Sequence, residues 1–341
     1  MADITKINEI YFKSMSGLMK TGAAEVSSFV RSGETPPAPP AGGDRGVFGP
    51  REGNSSLEAN IIDYITISTT GNATNFGDAI IGRWGSGGCS NGVNDRGIFA
   101  GGYDGEDGYN SIEYITILSA GNAANFGDLM LGRCITAGLS NGANDRGLFT
   151  GRYPKDSRSD SNSIEYITIS SNGNGTNFGD LLQNNDAMGT CSNATNNRGI
   201  IAGGGYDESI DVIQYITIST PGNAQDFGDL TIGKAYFAGC SNGTNDRGVF
   251  GSGKATWNDI IDYITISTTG NATNFGALTG YKYSASSCSN GINDRGIFGG
   301  GYTINGNINN IDYITIPTPG NAQDFGDLSA ACYSLASISN A

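Results

Sequence analysis

The hexapeptide Ile62-Asp63-Tyr64-Ile65-Thr66-Ile67 decides the fold, because close copies of it return along the whole 341-residue chain. The central tyrosines of the copies lie 48 to 52 residues apart, at Tyr64, Tyr114, Tyr166, Tyr215, Tyr263 and Tyr313. Three further pieces travel with each copy; in the second unit they are Cys89-Ser90-Asn91-Gly92, Arg96-Gly97-Ile98-Phe99-Ala100-Gly101-Gly102 and Asn125-Phe126-Gly127-Asp128-Leu129. Each unit therefore holds four short strand candidates, and the chain is predicted to be an array of equivalent units.

The composition favours the same architecture. The chain contains 54 glycines, and only 15% of its residues are charged. Such a profile is typical of many short strands joined by tight turns. We therefore expect an all-β fold.

The arrangement of the four pieces resembles a known repeat. The second strand of most units ends in glycines, and an aromatic residue opens the fourth strand: Phe76, Phe126, Phe178, Phe227, Phe275 and Phe325. Over about residues 44–341 this layout resembles the kelch repeat of the galactose-oxidase-like propellers. The resemblance implies a six-bladed β-propeller with four antiparallel strands per blade.

The two ends of the repeat array complement each other. The first unit opens at Asp44-Arg45-Gly46, so it lacks a first strand. The final Ile338-Ser339-Asn340-Ala341 aligns with Cys89-Ser90-Asn91-Gly92. We expect the C-terminal strand to fill the vacant place in the first blade, which protects two sheet edges.

The charge of the chain excludes one class of partner. A formal net charge of −14 argues against nucleic acid, whose recognition rests on Lys and Arg neutralising phosphates. The sequence has no apolar run long enough for a membrane span, and Met1-Ala2-Asp3-Ile4-Thr5-Lys6 does not have the layout of a signal peptide. We expect synthesis in a cytoplasm and no insertion into a membrane.

Two residue types recur at fixed positions of the repeat. The arginines admit two interpretations, a ring for an anionic ligand or side chains that bond neighbouring carbonyls or carboxylates near turns, and the second is preferred. Leu139 and Ile338 share one repeat position with four of the six cysteines, which predicts buried free thiols there, without a zinc site or disulfides. The arginines are Arg45, Arg96, Arg146, Arg198, Arg247 and Arg295, and the four cysteines are Cys89, Cys191, Cys240 and Cys288.

The chain has no histidine, which removes several kinds of catalytic site. Ser-His-Asp and Cys-His arrangements, imidazole zinc sites and the copper site of galactose oxidase all need it. A glycosidase that uses only two carboxylates stays open as an alternative, but no pair stands out. The acidic run Asp104-Gly105-Glu106-Asp107-Gly108 is interpreted as a solvated turn, with a calcium site as the alternative. We predict a protein without catalytic residues, metal or cofactor.

Strand parity divides the disc into two faces. One face carries monotonous turns and is called the repeated face. The other, the variable face, carries the loops between second and third strands and the connections between blades, which differ in every blade. Aromatic residues in those connections include Trp84, Tyr236, Phe237, Tyr281, Tyr283 and Tyr333. Exposed aromatics suit stacking on sugar rings, and the leading candidates are Tyr103, Tyr109, Tyr153, Tyr206, Trp257 and Tyr302. The alternative is that these aromatics only cap the blade edges.

Residues 1–34 do not fit the repeat and are predicted to form an attachment arm. The Pro/Gly-rich residues 35–43 would act as a semi-rigid linker, followed by the propeller at 44–341. Apolar residues of the arm recur at intervals of 11, which favours assembly onto other proteins. They are Ile4, Ile7, Met15, Leu18, Val26 and Phe29.

The hexapeptide with its following Gly-Asn-Ala-Thr-Asn-Phe-Gly-Asp segment is similar to repeats in predicted tail-fibre and other virion proteins of bacteriophages, especially those of marine cyanobacteria. The resemblance implies a non-enzymatic structural protein on the virion surface, attached to other virion proteins and presenting its propeller to a host receptor or glycan. The alternatives are a purely architectural decoration of capsid or tail, and a carboxylate glycosidase that acts on host polysaccharide.

Overall fold

The protein is described here by a computed structural model that covers residues 43–53, 59–92, 95–105, 108–140, 145–151, 162–193, 197–205, 208–242, 246–254, 259–291 and 294–340. These residues form six antiparallel sheets and contain no α-helix. The innermost strands of successive sheets adjoin in a closed ring. The predicted all-β, six-bladed propeller is confirmed; the predicted arm lies outside the described residues.

The first three blades have four strands each. Blade 1 has the order β25-β1-β2-β3, blade 2 runs from β4 to β7, and blade 3 runs from β8 to β11. The bounds are β1 (Arg45–Phe48), β2 (Ile61–Thr66), β3 (Thr74–Asp78), β4 (Gly87–Ser90), β5 (Arg96–Ala100), β6 (Tyr109–Thr116), β7 (Ala124–Arg133), β8 (Ala137–Ser140), β9 (Arg146–Thr150), β10 (Ser163–Thr168), β11 (Thr176–Asp180) and β25 (Ser337–Ser339).

The other three blades repeat this pattern with one addition. Blade 6 contains the extra strand β22, which forms a hairpin with the start of β23. The bounds are β12 (Gly189–Asn193), β13 (Arg198–Ala202), β14 (Val212–Thr217), β15 (Gln225–Asp229), β16 (Ala238–Ser241), β17 (Arg247–Gly251), β18 (Ile260–Thr265), β19 (Thr273–Ala277), β20 (Ser286–Ser289), β21 (Arg295–Gly299), β22 (Tyr302–Thr303), β23 (Gly306–Thr315) and β24 (Gln323–Cys332).

The seam of the ring lies inside blade 1. Strand β25 pairs antiparallel with β1, and Ile338 stands opposite Val47. The Arg45 backbone N–H also donates to the Asn340 Oδ1 at 3.0 Å. The C-terminal strand therefore supplies the first strand of blade 1, as the sequence predicts.

The blades are held together by a contact between each first strand and a glycine in the next blade. Ile338 of blade 1 faces Gly97 of blade 2, and a Cβ on that glycine would lie 2.1 Å from the Ile338 Cδ1. A side chain at this glycine would therefore overlap its neighbour. The same packing occurs at every interface: Cys89 on Gly147, Leu139 on Gly199, Cys191 on Gly248, Cys240 on Gly296, and Cys288 on Gly46. The predicted apolar position of the repeat is thus the point where blades interlock.

Serine hydroxyls add a second contact between blades around the central channel. The Ser140 Oγ donates to the Ser90 carbonyl at 2.5 Å, and the Ser90 Oγ donates to the Ser339 carbonyl at 2.6 Å. The same bond continues from Ser192 to Ser140, from Ser241 to Ser192 and from Ser289 to Ser241. The inner wall is therefore tied by hydrogen bonds as well as by apolar packing.

We expect Ile338→Ala to lower the free energy of unfolding by about 2–5 kcal/mol, because it opens a cavity at the seam. Ile338 is 3% exposed, whereas Ile304 is 76% exposed. The matched variant Ile304→Ala should therefore stay within about 0.5 kcal/mol of the parent protein. Denaturant titration measures both values, and equal effects of the two variants would contradict the role of Ile338.

Candidate functional site

The six repeated arginines are engaged in the fold. The guanidinium carbon of each lies 3.9 to 4.5 Å from the ring centroid of the repeat tyrosine in its own blade. A terminal nitrogen of each also donates to an isoleucine carbonyl in a neighbouring blade, at 2.9 to 3.2 Å. The interpretation that these arginines bond neighbouring carbonyls is confirmed.

The turns of the repeated face bond to one another. The Asn91 Nδ2 donates to the Asp145 Oδ1 of the next blade at 3.0 Å, and the Asn242 Nδ2 donates to the Asp294 Oδ1 at 2.9 Å. The Asp145 Oδ1 also accepts the Ser170 backbone N–H at 3.0 Å. The Asn-Gly and Asp-Arg motifs therefore serve the joints between blades, which explains why this face does not vary.

The variable face is built where the connections between blades meet the loops after the second strands. Trp84 forms a two-way backbone bridge with Tyr103, and Tyr283 forms the same bridge with Tyr302. The predicted residues Tyr103, Tyr109 and Tyr302 are described in this region. Tyr153, Tyr206 and Trp257 lie outside the described residues.

Tyr103 and Tyr109 belong to a cluster on blade 2. The rings of Tyr103 and Trp84 meet edge to face, with centroids 4.8 Å apart. The Tyr103 hydroxyl donates to the Gly105 carbonyl at 2.7 Å, and the Tyr109 hydroxyl donates to the Asp104 carboxylate at 2.8 Å. Both hydroxyls are thus used within their own loop, part of which lies outside the described residues.

Tyr302 belongs to a larger cluster that spans blades 5, 6 and 1. Its ring centroid lies 5.4 Å from that of Tyr283 and 5.3 Å from that of Tyr333. Tyr283 also contacts Tyr236 and Tyr281, with centroids 6.5 and 6.3 Å apart. All five tyrosines are partly exposed, and we call this cluster the tyrosine patch. It gathers residues from three connections and one hairpin.

The backbone under the tyrosine patch is fixed by hydrogen bonds. The Tyr302 N–H donates to the Tyr283 carbonyl at 2.8 Å, and the Tyr283 N–H donates back at 3.1 Å. The backbone groups of Tyr333 and Glu52 exchange the same two bonds, each at 3.0 Å. The Tyr236 N–H donates to the Ala187 carbonyl at 2.8 Å. The rings therefore project from a preorganised support.

Three hydroxyls of the patch have a raised pKa. Burial raises the pKa of Tyr283, and the neighbouring Tyr302 adds to the shift. Burial is also the main cause of the raised pKa of Tyr281 and of Tyr333, and the hydrogen bond to the Glu52 carboxylate adds to the shift of Tyr333. These three hydroxyls therefore stay protonated at neutral pH, and a carboxylate lies at the edge of the patch.

Buried ion pairs lie below the variable face. Each joins a cation to an acid on the third strand of the next blade; the cation lies in the connection that enters this blade or, for Arg133, at the end of the preceding fourth strand. The pairs are Arg83–Glu113 at 3.1 Å, Arg133–Glu165 at 2.7 Å, Lys234–Asp262 at 3.0 Å and Lys282–Asp312 at 3.1 Å. Burial lowers the pKa of both lysines, and the facing carboxylates oppose that shift. These pairs were missed by the sequence analysis.

The longer cation is paired with the longer acid and the shorter cation with the shorter acid, as in Arg133–Glu165 and Lys234–Asp262. The longer Glu165 accepts the Met130 backbone N–H at 2.6 Å, whereas the shorter Asp262 accepts the Thr231 hydroxyl at 2.5 Å. Blade 4 has the neutral Gln214 at the acid position, and Asn185 stands at the cation position. An alignment of the six units could have found this pattern, because the cation, the acid and the residue at the position of Met130 and Thr231 change together from blade to blade.

Blade 1 departs from this pattern. Cys332 stands where the other connections carry a cation or an amide. Arg51, from the loop after β1, pairs with Asp63 instead at 2.6 Å, and both side chains are fully buried. The Ser329 hydroxyl donates to the same carboxylate at 2.7 Å. The acid is thus neutralised from inside its own blade.

The central channel is a concave space lined by the innermost strands of the blades. Its volume is about 570 Å³, and its described lining contains no charged residue. The Ser140 and Ser289 hydroxyls of its wall donate to carbonyls of the neighbouring first strand. The Ser86 and Thr136 hydroxyls of the lining have no hydrogen-bond partner among the described residues.

The described residues contain no group of three or more His, Cys, Asp or Glu side chains arranged to hold a metal. Glu106 and Asp107 of the predicted acidic run lie outside those residues. The part of the chain that the structure describes also has no helix that could cross a membrane.

The chain was compared with known proteins. No protein-family description matches it, and no curated protein is detectably similar to it.

The buried pairs lead to a stability prediction. Asp262→Ala leaves Lys234 buried without its partner, and we expect a loss of about 3–5 kcal/mol in the free energy of unfolding. The triple variant Thr231→Leu, Lys234→Asn and Asp262→Gln copies the blade 4 arrangement and should recover most of that loss. Denaturant titration compares the two proteins. If the triple variant is no more stable than Asp262→Ala, the matching of side-chain lengths among these residues does not contribute to stability.

The cysteines lead to a reactivity prediction. All six are buried, and burial raises the pKa of Cys240 to about 12 and also raises that of Cys89. Because the thiolate is the reactive form, an aromatic disulfide reagent should modify none of the six in the native protein at mildly alkaline pH. All six should react in concentrated guanidinium chloride. Fast modification of Cys89, Cys191, Cys240 or Cys288 in the native protein would contradict the interlocking role of these four side chains.

Proposed function

We propose that this protein is a non-enzymatic attachment protein of a bacteriophage virion, in which the propeller binds a glycan or receptor on the host surface. The observation that carries the proposal is the contrast between the two faces. On the repeated face, the Arg, Asn and Asp side chains form hydrogen bonds between neighbouring blades. The variable face leaves a group of tyrosine rings partly exposed.

Two further features support a binding role without catalysis. The four acids of the buried ion pairs and Asp63 are buried and each is paired with a cation, so they are not accessible to a substrate. The tyrosine patch rests on backbone bridges, and rigid aromatic side chains give contact area at a small entropic cost.

The attachment role rests on the sequence. The arm at 1–34 and the linker at 35–43 would join the propeller to other virion proteins, and the similarity to repeats of virion proteins supplies the phage context. On this proposal the protein is made in the host cytoplasm and works on the virion surface.

Binding of the purified full-length protein to cyanobacterial cells and to an array of bacterial polysaccharides tests the proposal. We expect saturable binding, with no release of reducing sugar from the bound polysaccharide. Absence of binding to every cell type and glycan would favour an architectural decoration. Release of reducing sugar that a single Asp or Glu substitution abolishes would favour a glycosidase.

A further inference from the structure

The fold does not require the tyrosines of the patch. Tyr283 bridges to Tyr302 through backbone atoms, and at the equivalent place in blade 5 Ala235 bridges to Lys254 through the same atoms. The Ala235 carbonyl accepts the Lys254 N–H at 2.7 Å. Since alanine supports the same backbone bridge, the aromatic rings are not explained by the packing of the blade edge.

The exposed rings also differ from the structural tyrosines of the repeat. Tyr313 is held between the Arg295 guanidinium and Phe325, with ring centroids of the two aromatics 6.2 Å apart. Among the described residues, the aromatic rings that Tyr302 and Tyr283 contact belong to other tyrosines. Their faces are tilted by 45°, so they form a stepped surface and not a closed stack.

This surface has the chemistry that a sugar ring needs. The C–H face of a pyranose is apolar and packs on an aromatic ring, while its hydroxyls exchange hydrogen bonds at the edge. Tyrosine supplies both a flat ring and a neutral hydroxyl. Because several rings adjoin at 5.3 to 6.5 Å between centroids, more than one sugar of a chain can be contacted together.

Apart from the exposed Lys254, whose backbone bridges to Ala235 beside Tyr236, the charges around the patch disfavour anionic sugars. The Glu52 carboxylate is hydrogen-bonded to Tyr333 at its edge. Lys282, the cation that follows Tyr281 in the chain, is buried and paired with Asp312. The formal net charge of the chain is −14. Repulsion of a carboxylate or sulfate ligand is therefore expected.

We propose that the tyrosine patch, made of Tyr236, Tyr281, Tyr283, Tyr302 and Tyr333, is a stacking site for a neutral polysaccharide. This inference rests on the proposed binding function and specifies its site and its ligand class. Ile304, two residues after Tyr302 at the turn of the β22–β23 hairpin, adds an exposed apolar side chain to this hairpin.

The test uses the full-length protein and affinity electrophoresis in gels that contain a neutral polysaccharide (mannan, galactan, dextran or xylan) or an acidic one (alginate or hyaluronate). We expect retardation by at least one neutral polymer and none by the acidic ones. Tyr283→Ala and Tyr302→Ala should each weaken the retained interaction about tenfold. Tyr283→Phe should keep most of it, since the ring remains.

The matched control is Leu118→Ala, which removes an exposed apolar side chain from a turn of the repeated face and should leave the affinity within about twofold of the parent protein. Thermal melts of every variant show whether it is folded; Ala235 indicates that alanine is tolerated at the position of Tyr283. Neutral-polymer binding that survives both alanine variants in folded protein would overturn the site, as would a preference for the acidic polymers.

The two proposals fail differently. If the parent protein binds host cells but no neutral polysaccharide, the tyrosine patch inference is wrong and the attachment function stands. If it binds neither cells nor any polysaccharide, the attachment function is wrong as well. Self-association that Tyr302→Ala abolishes, without polysaccharide binding, would instead identify the patch as a contact between copies and overturn the inference.

Discussion

The ring depends on one close approach, repeated at every blade interface. The first strand of each blade places an apolar side chain directly over the Cα of a glycine in the next blade, as Cys89 does over Gly147. A larger residue at that point would overlap the end of the neighbouring side chain, which would have to move. Since the contact between blades 6 and 1 is the same as the others, through Cys288 and Gly46, the ring closes without an exceptional joint.

This demand for equivalent joints explains the difference between the faces. Turn residues such as Asn91 and Asp145 are fixed in type because each completes a hydrogen bond with the adjacent blade. The connections on the variable face do not need one residue type at each position in this way. Their joints use backbone atoms, as between Tyr283 and Tyr302, and side chains at those positions are free to differ. Recognition can therefore change on that face while the ring stays the same.

Much of the fold could be predicted from the sequence because its determinants recur. The tyrosine hexapeptide, the apolar position of Cys89 and the alignment of Ile338 with that position give the blade count and the seam. The buried pairs could not be found by residue type alone. Arg83 and Lys234 occupy the same position of the repeat but differ in side-chain length. The role of each is recognised from the acid that it contacts in the folded protein.

The candidate site was predictable in part. Tyr302 was selected as an exposed aromatic and lies in the tyrosine patch. Tyr103 was selected on the same grounds, yet its hydroxyl is bonded within its own loop. Tyr283 and Tyr333 were noticed as aromatics of the connections, but their meeting with Tyr302 depends on how loops of different blades converge, which residue patterns do not reveal.

The buried ion pairs below the variable face restrict which segment of the gene can be duplicated to add a blade. The cation precedes the first strand of a blade and its acid lies on the third, so a duplicated segment that starts at the first strand leaves the cation behind. A segment that starts at the fourth strand carries cation, hydroxyl and acid together. Where β25 and β1 meet, the acid Asp63 and the hydroxyl of Ser329 come from opposite ends of the propeller, and there the charge is supplied locally by Arg51.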